Sequence, residues 1–240
     1  MQQLSYFELV GFGPNGWGYA LLMATAMTLA VALCGFVVGA VIGTFVAWAK
    51  LAGPMPVRAV ADGYTTVLRG IPDLLVIYLF YFGGSAALGA IGSLFGAQGF
   101  IGMPAFMTGA IAIGIVSGAY QAEVFRGAFQ VLSKGELEAA RSVGMGRWLM
   151  FRRIVAPQVL RYAIPGMGNT WQLILKESAL ISVTGLVELL RQSHIAAGST
   201  RRPFDFYMTA AALYLVITWI STILFQKAEN RSLRGLRRAS

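Results

Sequence analysis

Lys176 and Glu177 stand side by side inside a stretch that is otherwise largely apolar, between Arg161 and Leu186. An ionisable side chain in such a place is costly in hydrocarbon and normally faces a cavity or a partner. Neighbours in a helix point about 100° apart, so these two cannot easily satisfy each other. Two readings therefore stand: a pathway for a polar solute, or a structural ion pair. In the first, Glu177 would receive a side-chain or α-amino charge, and Asn169, Thr170 and Gln172 would offer hydrogen bonds.

Two other pairs have helical spacing. Glu123 and Arg126 lie three apart, close enough to pair on one face and anchor a helix end. Arg69 and Asp73 lie four apart around Gly70 and Pro72. A proline removes a backbone donor and kinks a helix, so this charged point is read as a structural pair or as a gate. Covalent chemistry finds no such support. The single histidine, His194, and the single cysteine, Cys34, have no partners for a Ser/His/acid set, a Cys/His set, a metal cluster or a disulfide within the chain. A phosphate-binding G-x-x-x-x-G-K-[ST] loop is also missing, since Gly198-Ser199-Thr200 lacks the lysine. No cofactor or metal is expected in this chain, and no enzymatic activity.

The elements that hold these residues must cross a membrane. Of 240 residues, 57% are hydrophobic and 12% charged, and the mean hydropathy is positive; this is too apolar for a soluble domain. The apolar runs define five expected spans, at about 20–48, 63–83, 103–125, 162–187 and 206–226. The net charge of +9 falls in blocks between them, which suits membrane topology better than a nucleic-acid face. Lys50 and Arg58, then Lys134 to Arg161, then Lys227, Arg231, Arg234, Arg237 and Arg238 mark three cytoplasmic segments. The segment at 84–102 carries no charge, and that at 188–205 is lightly basic; both face outward with the N-terminus, leaving the C-terminus inside. Residues 1–19 are expected as a periplasmic segment ahead of a retained first span, and 227–240 as a basic cytoplasmic tail.

Gly35, Gly39 and Gly43 form a ladder in the first span, and Ala110, Gly114 and Gly118 repeat it in the third. Such ladders let backbones approach closely, either within one subunit or between two. Trp17, Tyr19 and Trp48 bracket the first span as interface anchors.

The long charged segment at 127–161 is the remaining puzzle. Leu137, Ala140, Gly144, Trp148, Phe151 and Val155 recur at intervals of three and four and so share one helical face, with Glu136, Arg141, Arg147, Arg152 and Arg153 off it. Gly144 and Gly146 are poor in a helix interior, so two short helices with a break between them are expected. A basic amphipathic helix can lie on anionic lipid, but Glu138-Ala139-Ala140 followed by Gly144 also suits a helix seated in another protein's cleft.

Glu138-Ala139-Ala140, then Gly144, Ile154 and Pro157, resembles the EAA loop of permease subunits of ABC importers; Ala156 replaces the Leu that many members carry before the proline. The segments at 64–75, 118–140 and 161–186 extend the resemblance to the polar amino-acid uptake branch, most closely to histidine/lysine/arginine/ornithine permease subunits. That likeness implies an all-α integral membrane bundle of the type I ABC importer permease fold, with residues 20–226 as the transmembrane domain and 127–161 carrying the coupling helices. It implies a multi-pass inner-membrane permease for polar, chiefly basic, amino acids, with opines or neutral polar amino acids as the alternative. A secondary transporter is the weaker class, since more spans and inverted repeats would be expected of it. The same likeness implies a second permease subunit or a second copy of this chain, two cytoplasmic ATPases holding ATP and Mg, and a periplasmic substrate-binding protein. A coupling role for Glu123 and Arg126 stays open beside the structural one.

Overall fold

The computed structural model describes residues 5–94 and 102–233, which are helical with no strand among them. Arg234, Arg237, Arg238 and residues 95–101, part of the segment at 84–102 expected to face outward, lie outside the described residues. A short helix, α1 (Tyr6–Val10), opens the fold, its end closed by a reciprocal cap in which the Glu8 N–H bonds the Ser5 hydroxyl and the Ser5 N–H bonds the Glu8 carboxylate. Those bonds, the backbone one first, hold the Glu8 carboxyl below its ordinary range.

Next comes α2 (Gly18–Ala52), 35 residues long. At 1.5 Å per residue it spans about 52 Å, more than the hydrocarbon thickness. Its last turns, with Lys50, therefore reach beyond that layer unless the helix tilts strongly.

The expected second span at 63–83 is divided. α3 (Met55–Gly70) ends before Ile71, whose backbone is extended at φ −103° and ψ 151°, and α4 (Asp73–Leu94) begins after Pro72. The proline pushes Ile71 out of the helical region and has no N–H to continue the ladder. The helix with the length and apolarity to cross a membrane consequently starts at Asp73, not at residue 63.

α5 (Ala105–Gln130) is the centre of the fold: 67% of its apolar window is buried, against 28% in α2 and 17% in α4. α2 packs against it along the glycine ladder, which settles the ladder as packing within the chain. A Cβ on Gly39 would lie 2.0 Å from Ser117 Oγ, and one on Gly43 2.9 Å from the Ala122 backbone nitrogen. The close approach lets Ser117 and Gln121 donate to the Gly35 and Phe36 carbonyls at 3.3 and 3.1 Å.

After α5 the chain forms α6 (Lys134–Ser142), α7 (Arg147–Met150), a π-helical turn at Phe151–Val155 and α8 (Ala156–Glu177). α8 continues as a 3₁₀ turn at Ser178–Thr184. Together they occupy the expected fourth span, yet α8 is not among the described helices apolar enough to cross by composition. Arg161, Asn169, Gln172 and Lys176 lower its hydropathy, while Ile174 and Leu175 pack against Ile113 and Ile181.

α9 (Leu189–Thr200) and α10 (Pro203–Leu233) complete the chain. α9 is capped by the fully buried Glu188, whose carboxylate accepts from the Leu190 and Arg191 N–H groups at 2.9 and 2.7 Å. Its Leu189 joins Leu9, Leu21 and Phe206 in a second core, and Trp17 packs edge-on against Phe206. Trp17 is therefore a packing residue, whereas Tyr19 and Trp48 are 67% and 69% exposed.

Candidate translocation cavity and coupling segment

The residues that the resemblance marks for coupling are spread along the segment: Glu138, Ala139 and Ala140 on α6, Gly144 in the turn after it, Ile154 in the π-helical turn and Pro157 at the start of α8. α6 ends in a Schellman arrangement: Met145 N–H donates to the Ala140 carbonyl at 3.0 Å and Gly144 N–H to that of Arg141 at 2.9 Å. Gly144 has φ +79°, a conformation costly to residues with a side chain, and nothing lies within 4 Å of where its Cβ would be. The four-residue spacing from Ala140 to Gly144 is what this closure requires. Ala140 is buried while Glu138 and Ala139 are exposed.

The turn also breaks the single face expected from the sequence. Ala140 and Val155 are buried, but Trp148 and Phe151 are 73% and 50% exposed and stack on each other with ring centres 6.0 Å apart. Left-handed Gly144 redirects the chain, so periodicity does not carry across it. Further on, the ladder widens to the bond from Ala156 N–H to the Phe151 carbonyl, just before Pro157, whose missing N–H leaves Arg153 without its usual donor. Ile154 is half-buried and Pro157 exposed. Gln158, not singled out from the sequence, donates to Glu136 at 2.8 Å and ties α8 back to α6.

Glu123 and Arg126 form the expected pair, with Arg126 Nη2 2.7 Å from Glu123 Oε2. Lys50 completes it in a way that sequence spacing could not reveal, because it comes from α2. Its ammonium bonds Glu123, lies 2.9 Å from Asp62 Oδ1 and donates to Thr65 Oγ1 at 2.7 Å. Three helices thus meet at one ionic knot.

Arg69 and Asp73 do not form the expected pair. The break at Ile71-Pro72 puts them on different helices; the Arg69 guanidinium lies over the Tyr120 ring, 5.5 Å from its centre, and the Asp73 carboxyl turns to that of Glu177. Asp73, Glu177 and Arg69 all lie within electrostatic reach of the Tyr120 hydroxyl.

Tyr120 also lines a cavity of about 390 Å³ with Asn169, Thr170, Gln172, Leu173 and Lys176. Its volume falls in the range of roughly 300–1,000 Å³ typical of small-molecule sites. Four of the five residues read as a pathway from the sequence come together here. The fifth, Glu177, is 6% exposed, and its Oε1 has no hydrogen-bond partner among the described residues. Gln172 is held by Thr222 at 2.9 Å, and Thr170 by the Gly166 carbonyl at 3.0 Å. Tyr120 was not anticipated; its place one helical turn before Glu123 was the available signal.

Residues 39–235 match the model of the family described as binding-protein-dependent transport system inner membrane component. The chain is 61% identical to the octopine transport system permease protein OccQ of Rhizobium radiobacter over 235 residues, covering 98% of this chain and 99% of that one. It is 38% identical to the histidine/lysine/arginine/ornithine transport system permease protein HisQ of Escherichia coli, covering 93% and 98%. Among solved structures, an amino acid ABC transporter crystallised with histidines aligns at a TM-score of 0.75 and 34% identity, over 90% of this chain and 95% of the other.

Proposed function

The chain belongs to the family of binding-protein-dependent transport system inner membrane components, and on that premise we propose that it is the permease subunit of an ATP-driven importer for opines. The observation that carries the substrate class is the 61% identity over nearly the whole chain to an octopine permease, against 38% to a permease for basic amino acids. The emphasis on histidine, arginine, lysine and ornithine drawn from sequence motifs thereby gives way to the opine alternative. Both classes share a cationic nitrogen and a carboxylate, so the motifs common to them do not separate the two.

In this reading the chain works with a second permease subunit, two cytoplasmic ATPases that bind ATP and Mg, and a periplasmic binding protein. The N-terminus faces the periplasm and the C-terminus the cytoplasm. Residues 134–148, closed by the Gly144 turn, seat in an ATPase cleft, with Glu138, Ala139, Ala140, Ile154 and Pro157 shaping and supporting that contact. ATP-driven closure moves this segment and shifts the spans between two states that differ in their affinity for ATP. The cavity beside Tyr120 is the solute pathway, with Asn169, Thr170, Gln172 and Lys176 on its wall and Glu177 behind it. The break between Arg69 and Asp73 is the hinge of a gate.

Uptake into proteoliposomes holding the complete importer tests this. Labelled octopine should accumulate only with ATP inside, and unlabelled octopine should compete better than histidine. Accumulation without nucleotide, driven by an ion gradient, would overturn the ABC reading; stronger competition by histidine would restore basic amino acids as the substrate class.

A further inference from the structure

Lys176 is the one charged side chain on the cavity wall, and it is exposed there. It makes no ion pair or hydrogen bond among the described residues, whose ion pairs engage Lys50, Arg126 and Arg202. The adjacent carboxylate does not compensate it through a direct bond. Glu177 points elsewhere on the helix, is buried, and is turned to Asp73. Arg69, the other nearby cation, rests on the Tyr120 ring. An ammonium in a stretch expected from the sequence to cross a membrane calls for an anionic partner, and the remaining wall supplies only neutral groups: Tyr120, Asn169, Thr170, Gln172 and Leu173.

We infer that Lys176 is the specificity-determining residue of this cavity and reads a carboxylate of the solute. The inference rests on the solute-pathway reading above and deepens it: the ligand class becomes a solute bearing a carboxylate, held at Lys176 by a charge-assisted hydrogen bond. Asn169, also without a hydrogen-bond partner among the described residues and two turns before Lys176 on the same face of α8, supplies a neutral donor and acceptor to the same ligand.

The binding protein would impose its own selectivity, so the test uses the purified complex of both permeases and the ATPases without it. Thermal stabilisation of that complex by octopine, arginine and agmatine, the last being arginine without its carboxylate, compares wild type with Lys176→Gln and Lys176→Arg. Octopine and arginine should stabilise wild type and agmatine should not. Lys176→Gln should weaken the apparent affinity for both carboxylates by ~10-fold or more, as expected for loss of a hydrogen bond to a charged group, while Lys176→Arg should keep most of it. Equal binding of arginine and agmatine, an unaltered Lys176→Gln, or a wild type that binds none of the three would each overturn the inference. A lower melting temperature of ligand-free Lys176→Gln would overturn it too, because it would show a structural partner for the lysine in the second permease. Uptake in proteoliposomes separates the two levels: octopine uptake that ignores Lys176 sinks only this inference, and carboxylate binding at Lys176 without ATP-driven uptake sinks only the importer reading.

Discussion

Two lysines, Lys50 and Lys176, occupy comparable positions near the ends of long helices and meet opposite fates. Lys50 has a side chain only 8% exposed and is held by Glu123, Asp62 and Thr65, drawn from two other helices. Lys176 is exposed on a cavity wall, and the carboxylate next to it, on Glu177, is buried near that of Asp73. The contrast shows how this chain divides its charges. One cluster satisfies itself and locks α2, α3 and α5 together, whereas the other leaves a cation unanswered and so available to something that passes.

The comparison can be broken at several points. The heaviest damage should come from Gly39→Leu, because a Cβ there would already lie 2.0 Å from Ser117 Oγ and 2.7 Å from Gln121 Nε2. Forcing α2 from α5 should cost about 3 kcal/mol or more and pull Lys50 away from Glu123. Loss of folded protein on size-exclusion chromatography would register it, and a normal yield and elution would show that the ladder is not what sets the helix spacing.

Lys50→Met comes next. Removing one member of a buried pair costs about 3–5 kcal/mol, but Glu123 keeps Arg126 and Asp62 is largely exposed, so about 2 kcal/mol is expected. Denaturant unfolding in detergent reads this directly. A loss below about 0.5 kcal/mol, the range of ordinary surface changes, would reduce the knot to a surface decoration.

Gly144→Val touches neither cluster and isolates the turn proposed to couple to the ATPase. There is open space around the Cβ position, so its effect is backbone strain at φ +79° alone, about 1–2 kcal/mol. That is enough to depopulate the turn roughly tenfold, and ATP hydrolysis by the assembled importer should drop with it. Gly144→Asn should retain more activity, since asparagine tolerates this region better. Equal activity of both variants would argue against any need for the left-handed turn.

The smallest stability effect belongs to Lys176→Gln. With no pair to break, unfolding should shift by less than about 0.5 kcal/mol.

The fold was legible where composition and spacing act locally. Long apolar runs fixed the class, and Gly144 with Gly146 announced the break between α6 and α7 that the structure shows. The Glu123–Arg126 pair followed from helical spacing. Arg69 and Asp73 misled because Pro72 ends one helix and starts another, so four residues apart no longer means one face. Lys50 was invisible as a partner because its contacts to Asp62 and Glu123 join residues distant in sequence, and local helical spacing does not reveal which helix lies beside which. The cavity was half-visible: Asn169, Thr170, Gln172 and Lys176 lie on one helix and could be grouped from sequence, while Tyr120 arrives from α5.

The decisive measurement sets Lys50→Met beside Lys176→Gln in the same reconstituted importer and records both the unfolding midpoint and octopine-stimulated ATP hydrolysis. The two variants should cross. Lys50→Met should lose stability while its surviving folded fraction still responds to octopine, and Lys176→Gln should keep wild-type stability and lose the response. If Lys176→Gln unfolds early, or responds to octopine like wild type, the division between a structural and a solute-facing charge cluster is contradicted.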